Sequence, residues 1–263
     1  MRERGSGTGN MGEGGLPRGD APGSDERDAL DPATTALVRV AAALAEGKVA
    51  VLRDRFVAAR TARVPDRWIE ELLLQSLLVV GYPLALVAFG VWREVKGPPS
   101  GPGDGGGGGG GGGEELAHED WQSWATRGSA VCAAVYGRAY HKLLLNLRAL
   151  HPALEDLVLV DAYGKVIGRP GLDLKRRELC TVAALAVLGT GQQLHSHLRG
   201  SLNTGATRAE VEEVLGVIDG DLDAERRRSA HEQWDDVKGR RLRTRKSERG
   251  TRNREASPCR RET

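Results

Sequence analysis

Apolar residues recur at helical spacing across residues 174–203, and the rest of the chain is organised around that stretch. Leu179, Val182, Ala183, Ala186 and Val187 fall on one helical face. Gly189 and Gly191 break this helix. Leu194, Leu198 and Leu202 then form a stripe on a second helix, which ends at Asn203-Thr204-Gly205. Asp173 precedes the first helix, where a short carboxylate accepts orphan backbone N–H groups. Thr207-Arg208-Ala209-Glu210 reads as a capping box that opens a third helix.

The same grammar appears nearer the N-terminus. Asp31-Pro32 supplies a cap and a first-turn proline, Leu37, Val40, Ala41 and Leu44 follow at helical spacing, and Gly47 ends the helix. Residues 51–63 form a basic helix, and Pro65-Asp66 starts another through Trp68, Leu72 and Leu77. Residues 72–92 are the most apolar stretch. A membrane span needs about 20 apolar residues, and here Gln75, Ser76, Gly81 and Pro83 interrupt the run. It therefore reads as two core helices meeting at Gly81-Tyr82-Pro83. Residues 121–136 and 140–150 read as further helices, the second closed by His151-Pro152, and residues 154–166 lead back to the central hairpin. No strand-turn-strand pattern is present, so the expected fold is all-α.

Composition divides the 263 residues into parts. Residues 1–32 are almost free of apolar side chains, which predicts a disordered tail. Residues 98–117 contain the uninterrupted glycine tract 105–113, a linker composition. Residues 33–97 and 118–235 are left as two helical modules. Residues 236–263 read as a basic disordered tail, with 11 Lys/Arg against 3 Asp/Glu from position 237 onward. That tail has no aromatic residue for stacking, so nucleic acid is not the expected partner. Cys132, Cys180 and Cys259 form no CxxC and no metal-ligand spacing, which fits a reducing compartment. With no apolar leader near the N-terminus, the expected location is the cytoplasm.

Sliding the chain by 142 residues aligns 36–72 with 178–214 without a gap, and Leu37, Val40, Ala41, Ala42, Gly47, Leu52, Glu70 and Glu71 match identically. Ala36 then takes the place of Glu178, and Arg55 the place of His197. The first copy would be a structural half, or would offer Arg53 and Arg55 to an anion.

Glu178 and His197 are the candidate chemistry. They stand 11 residues before and 8 after Gly189, about 16 Å and 12 Å from the turn. In antiparallel helices they lie within about one turn of each other. Glu178 shares a face with Val182 and Leu185, so its carboxyl should point inward. A half-buried carboxyl beside an imidazole can act as an acid/base pair. The bland alternative is a first-turn glutamate favoured by the helix dipole and a solvated histidine. His195 and His197 lie about 200° apart on a helix and cannot chelate one ion, so no metal site is expected.

Residues 163–173, running into Arg177-Glu178-Leu179 and through residues 193–199 and 203–207, resemble the carboxymuconolactone decarboxylase family. Val135-Tyr136-Gly137 resembles its upstream helix, and residues 71–75 with 81–83 resemble the later part of the same module. The resemblance implies an all-helical fold of the alkylhydroperoxidase D-like kind, assembled as trimers or hexamers. It implies a small-molecule substrate and no cofactor. Alkylhydroperoxidase D proteins use a Glu, a CxxC pair and a His; Glu178 and His197 occupy the outer two positions, while Thr190 and Gln193 stand at the thiol positions. Decarboxylation of a small carboxylated lactone is then the leading expectation. His197 would donate a proton, Glu178 would orient it, and Arg169, Arg177 or Arg199 would hold a substrate carboxylate. Thiol-dependent peroxidase (peroxiredoxin) activity and a non-catalytic helical assembly are the alternatives.

Overall fold

Caps and glycines cut the chain into helices, and no strand occurs among the described residues. The computed structural model describes residues 30–97 and 119–255, with side chains through residue 239. The elements are α1 (Pro32–Glu46), α2 (Val49–Thr61), α3 (Asp66–Lys96), α4 (Trp121–Tyr136), α5 (Tyr140–Leu150), the single turn α6 (Leu154–Asp156), a π-helix (Leu157–Ile167), α7 (Leu174–Leu188), α8 (Gly191–Asn203), α9 (Arg208–Ile218) and α10 (Ala224–Glu255). The all-α expectation holds. The expected glycine linker and residues 1–29 of the expected N-terminal tail lie outside the described residues.

Asp31 accepts the Thr34 N–H at 2.9 Å and Asp173 accepts the Arg176 N–H at 3.0 Å, so each caps its helix as its sequence predicts. Gly47 and Gly189 end those helices in the left-handed conformation, at φ 73° and 70°. The capping box at Thr207 and Glu210 is complete.

The two halves keep a constant register. α1 and α2 begin and end at the positions that α7 and α8 occupy 142 residues later, an offset that also separates the hydrogen-bonded pair Thr34 and Arg176. α3 and α9 begin at the same offset, at Asp66 and Arg208. Side-chain pairs follow the register too. Lys96–Glu70 at 2.9 Å matches Lys238–Glu212 at 3.0 Å, Arg53–Glu94 matches His195–Asp236, and the buried Trp92 matches the buried Trp234. Arg176 ties the halves at their seam, reaching Asp31 at 3.0 Å and Asp173 at 2.6 Å and stacking on Trp68.

The core lies where α1 packs on α7. Leu37, Val40 and Ala41 meet Leu179, Val182, Ala183 and Ala186, with α3, α8 and α9 around them. A smaller cluster of Cys132, Val135, Leu159, Tyr163 and Ile167 joins α4 to the π-helix. Two glycines allow that second contact. A β-carbon on Gly128 would sit 1.7 Å from the Leu159 carbonyl, and one on Gly164 would sit 2.4 Å from the Trp124 carbonyl. The helices therefore touch backbone to backbone.

α3 is the one helix among the described residues long and apolar enough to cross a membrane. Gly81, at φ 75° and ψ 170°, bends it, and Ile69, Leu72 and Leu73 pack into the core. At the other end the expected tail boundary needs correction. Val237 is buried, Lys238 pairs with Glu212, and α10 runs on to Glu255. The helix continues because its first turns have an apolar face, through Ala230, Trp234 and Val237, that packs on the core.

Candidate active site

α7 and α8 pack against each other on either side of the Gly189 turn, and this brings Glu178 and His197 together. Glu178 Oε2 lies 2.8 Å from His197 Nδ1. The carboxylate is almost fully enclosed, with 2 % of its side chain exposed, whereas 16 % of the imidazole is exposed. Nδ1 faces the carboxylate, which leaves Nε2 for a partner from outside. Burial draws the imidazolium pKa down, but the charge and hydrogen bond of Glu178 outweigh it and leave the value above 6.5.

Gly200 makes room for the carboxylate. A β-carbon there would lie 2.4 Å from Glu178 Oε2 and 2.9 Å from Val135 Cγ1. In the 142-residue register, Ala36 stands at the position of Glu178 and Ala58 at that of Gly200. Where the carboxylate is missing, the missing β-carbon is not required either. Arg55, in the place of His197, pairs with Asp221 at 3.2 Å, and Arg53 pairs with Glu94.

α4 and the π-helix supply the remaining wall, which the sequence did not identify as part of a site. The Tyr136 ring meets the His197 ring edge-on at 6.2 Å and the Tyr163 ring at 6.3 Å. Asn203 on α8 donates to the Val135 carbonyl at 2.8 Å and so fixes the end of α4 beside the pair. Cys132 and Tyr163 lie close enough to feel the Glu178 charge. Burial first, and that charge second, push the Cys132 thiol up to about 12. Burial pushes Cys180 to about 12 as well. A thiol held protonated is a poor nucleophile.

The three arginines expected to hold a substrate carboxylate are placed differently. Arg177 is fully buried; its Nη2 donates to Glu71 Oε2 at 2.8 Å and to the Arg169 carbonyl at 3.2 Å, and its Nε donates to the Leu172 carbonyl at 3.1 Å. Arg169 is buried on the same carboxylate, at 3.2 Å. Gln75 completes the cluster, donating to the Arg177 carbonyl at 2.9 Å and to Thr181 at 2.8 Å. Two of the expected substrate clamps therefore bind a carboxylate of α3. Arg199 is exposed, about 200° around α8 from His197.

Among known proteins, residues 158–236 match the model of the carboxymuconolactone decarboxylase family. The 4-carboxymuconolactone decarboxylase of Acinetobacter baylyi is 33% identical over 90 residues, 34% of this chain and 67% of that enzyme. The chain belongs to the carboxymuconolactone decarboxylase family. Nitrosuccinic acid decarboxylase npaB of Metarhizium robertsii is 36% identical over 61 residues, 23% of this chain and 43% of the relative. Peroxisomal protein 2 of Schizosaccharomyces pombe is 31% identical over 86 residues, 32% and 40% of the respective lengths. The all-α, alkylhydroperoxidase D-like fold agrees with this membership. The family match covers most of the π-helix, α7, α8, α9 and the start of α10, and so includes Tyr163, Glu178, His197 and Gly200.

Proposed function

We propose that this carboxymuconolactone decarboxylase-like protein is an acid/base decarboxylase acting on a small carboxylated lactone or a related activated carboxylate. The observation that carries the reading is the enclosed Glu178 carboxylate 2.8 Å from the partly exposed His197 imidazole. Two relatives named as decarboxylases support the reaction class. Loss of CO2 from a carbon conjugated to a lactone carbonyl leaves its electron pair delocalised onto oxygen as an enolate. Carbon then takes a proton from His197 Nε2–H, and solvent restores that proton. Glu178 holds the ring in place and keeps the imidazolium charged until transfer. The test is CO2 release from 4-carboxymuconolactone by the full chain and by His197→Gln. The reading expects turnover by the first and a kcat about 100- to 10,000-fold lower in the second, at unchanged helicity. Equal turnover would overturn it.

We read the first half as a degenerate copy of the second, in which Ala36 and Arg55 replace the acid/base pair. Self-association belongs to the same reading. Leu78, Tyr82, Leu84, Leu86 and Val87 on α3 are exposed though apolar. Their counterparts 142 residues later are Gly220, Ala224, Arg226, Arg228 and Ser229. A trimer or hexamer of modules would cover the apolar face, and Leu86→Arg should then lower the mass measured by light scattering.

A further inference from the structure

Acid/base chemistry at Glu178 and His197 accounts for the carbon end of the reaction and leaves the oxygen end without a partner. A decarboxylation that forms an enolate places negative charge on an oxygen several bonds from the carbon that is protonated. That oxygen needs a hydrogen-bond donor held in position before the charge develops. Of the arginines expected to meet negative charge, Arg169 and Arg177 are buried on Glu71, and Arg199 is exposed about 200° around α8 from His197.

Two phenols lie at the site instead. Tyr136 closes α4 and packs edge-on against the His197 ring at 6.2 Å. Tyr163, on the π-helix, packs edge-on against the Tyr136 ring at 6.3 Å. Their exposures differ. Tyr163 is buried at 6 % exposure, whereas Tyr136, like His197, is partly exposed. A buried phenol donates to the neighbour it has. When Tyr163 donates to the Tyr136 oxygen, the Tyr136 proton is left to point at whatever enters beside His197. Burial holds Tyr136 protonated, pushed up to about 12, so it remains a donor throughout the neutral range.

Resting on the decarboxylase reading above, we infer that Tyr136 is a catalytic residue that donates a hydrogen bond to the enolate oxygen of the substrate, and that Tyr163 is a positioning residue acting through it. The phenol keeps its proton throughout. The carboxylate leaves as CO2, its bonding electrons delocalise to the oxygen facing Tyr136, and the proton that ends on carbon comes from His197.

The experiment uses the full chain with Tyr136→Phe, Tyr163→Phe and the double variant, and has two readouts. The first is CO2 release from 4-carboxymuconolactone. Tyr136→Phe should lower kcat about 100-fold, the scale of one oxyanion donor, with KM changed less than about threefold. Tyr163→Phe should lower kcat about tenfold alone and not at all in the Tyr136→Phe background, a pattern that a purely structural role would not produce. The second is binding of 4-nitrophenolate, a planar oxyanion, followed by its absorbance at pH 8. Tyr136→Phe should weaken it at least tenfold. If the parent turns over and Tyr136→Phe matches it in both readouts, the donor role is overturned and the decarboxylase reading stands. If the parent releases no CO2 but binds 4-nitrophenolate in a Tyr136-dependent way, the decarboxylase reading fails and the donor stands. Neither turnover nor phenolate binding by the parent overturns both.

Discussion

Gly200 and Glu178 are in such close contact that a β-carbon on the glycine would lie 2.4 Å from the carboxylate oxygen. The contact links a helix backbone position on α8 to the orientation of an acid on α7. Gly200→Ala should therefore push the carboxylate off His197. Because Glu178 is enclosed and Val135 also crowds that β-carbon position, at 2.9 Å, the carboxylate has little room to retreat. Turnover should fall at least tenfold while the far-ultraviolet circular dichroism stays that of the parent. Parent-like turnover in Gly200→Ala would show that the contact does not control the pair.

The pair should also impose a pH dependence. The His197 pKa lies above 6.5 because Glu178 outweighs the effect of burial. As the proton donor, His197 works in its charged form, so kcat should be flat below that raised value and fall as pH rises through it. Glu178→Gln removes the counter-charge and should move the break to lower pH. Folding stability follows the same sign. A pKa raised in the folded state contributes stability that is full below about 6.5 and is lost as pH rises through the folded value. Denaturant titrations of the parent and His197→Gln between pH 5.5 and 9 would reveal it as a difference that shrinks with rising pH.

Glu71 should matter for stability rather than for chemistry. Its carboxylate receives Arg169 and Arg177, both buried, and ties α3 to α7. Glu71→Gln removes the carboxylate that Arg169 and Arg177 share in the core. Breaking a buried pair in this way typically costs about 3–5 kcal/mol, so the midpoint of denaturant unfolding should drop by a corresponding amount. A midpoint unchanged from the parent would mean the cluster is solvated in solution.

The two buried thiols should be silent. Cys132 and Cys180, each pushed to about 12, offer almost no thiolate at neutral pH. Iodoacetamide at pH 7 followed by peptide mass mapping should leave both unlabelled in the native protein and label both once it is unfolded. Rapid native labelling of Cys132 would return a thiol mechanism to consideration.

The parts of the structure that could be read from the sequence are those that depend on neighbours along the chain. Asp31, Asp173, Gly47, Gly189 and the Thr207–Glu210 box obey rules spanning three to five residues, and each sits where those rules put it. The approach of Glu178 to His197 followed from helix rise and one tight turn. Partners drawn from distant helices were out of reach. Nothing in residues 121–136 marks Tyr136 as a neighbour of His197, because the contact exists only once α4 docks on α8. The charge of Arg177 was plain, but its burial on Glu71, 106 residues away, was not. The π-helical register of residues 157–167 also has no periodicity of its own. In retrospect, Gly128 and Gly164 were the signal, two glycines at which helix backbones come into contact.

A double-mutant cycle on kcat for CO2 release from 4-carboxymuconolactone, with Glu178→Gln, His197→Gln and the two combined, tests the pair most directly. If carboxylate and imidazole act as one unit, the combined variant is no slower than His197→Gln alone. Losses that multiply, as for two independent groups, would contradict the account.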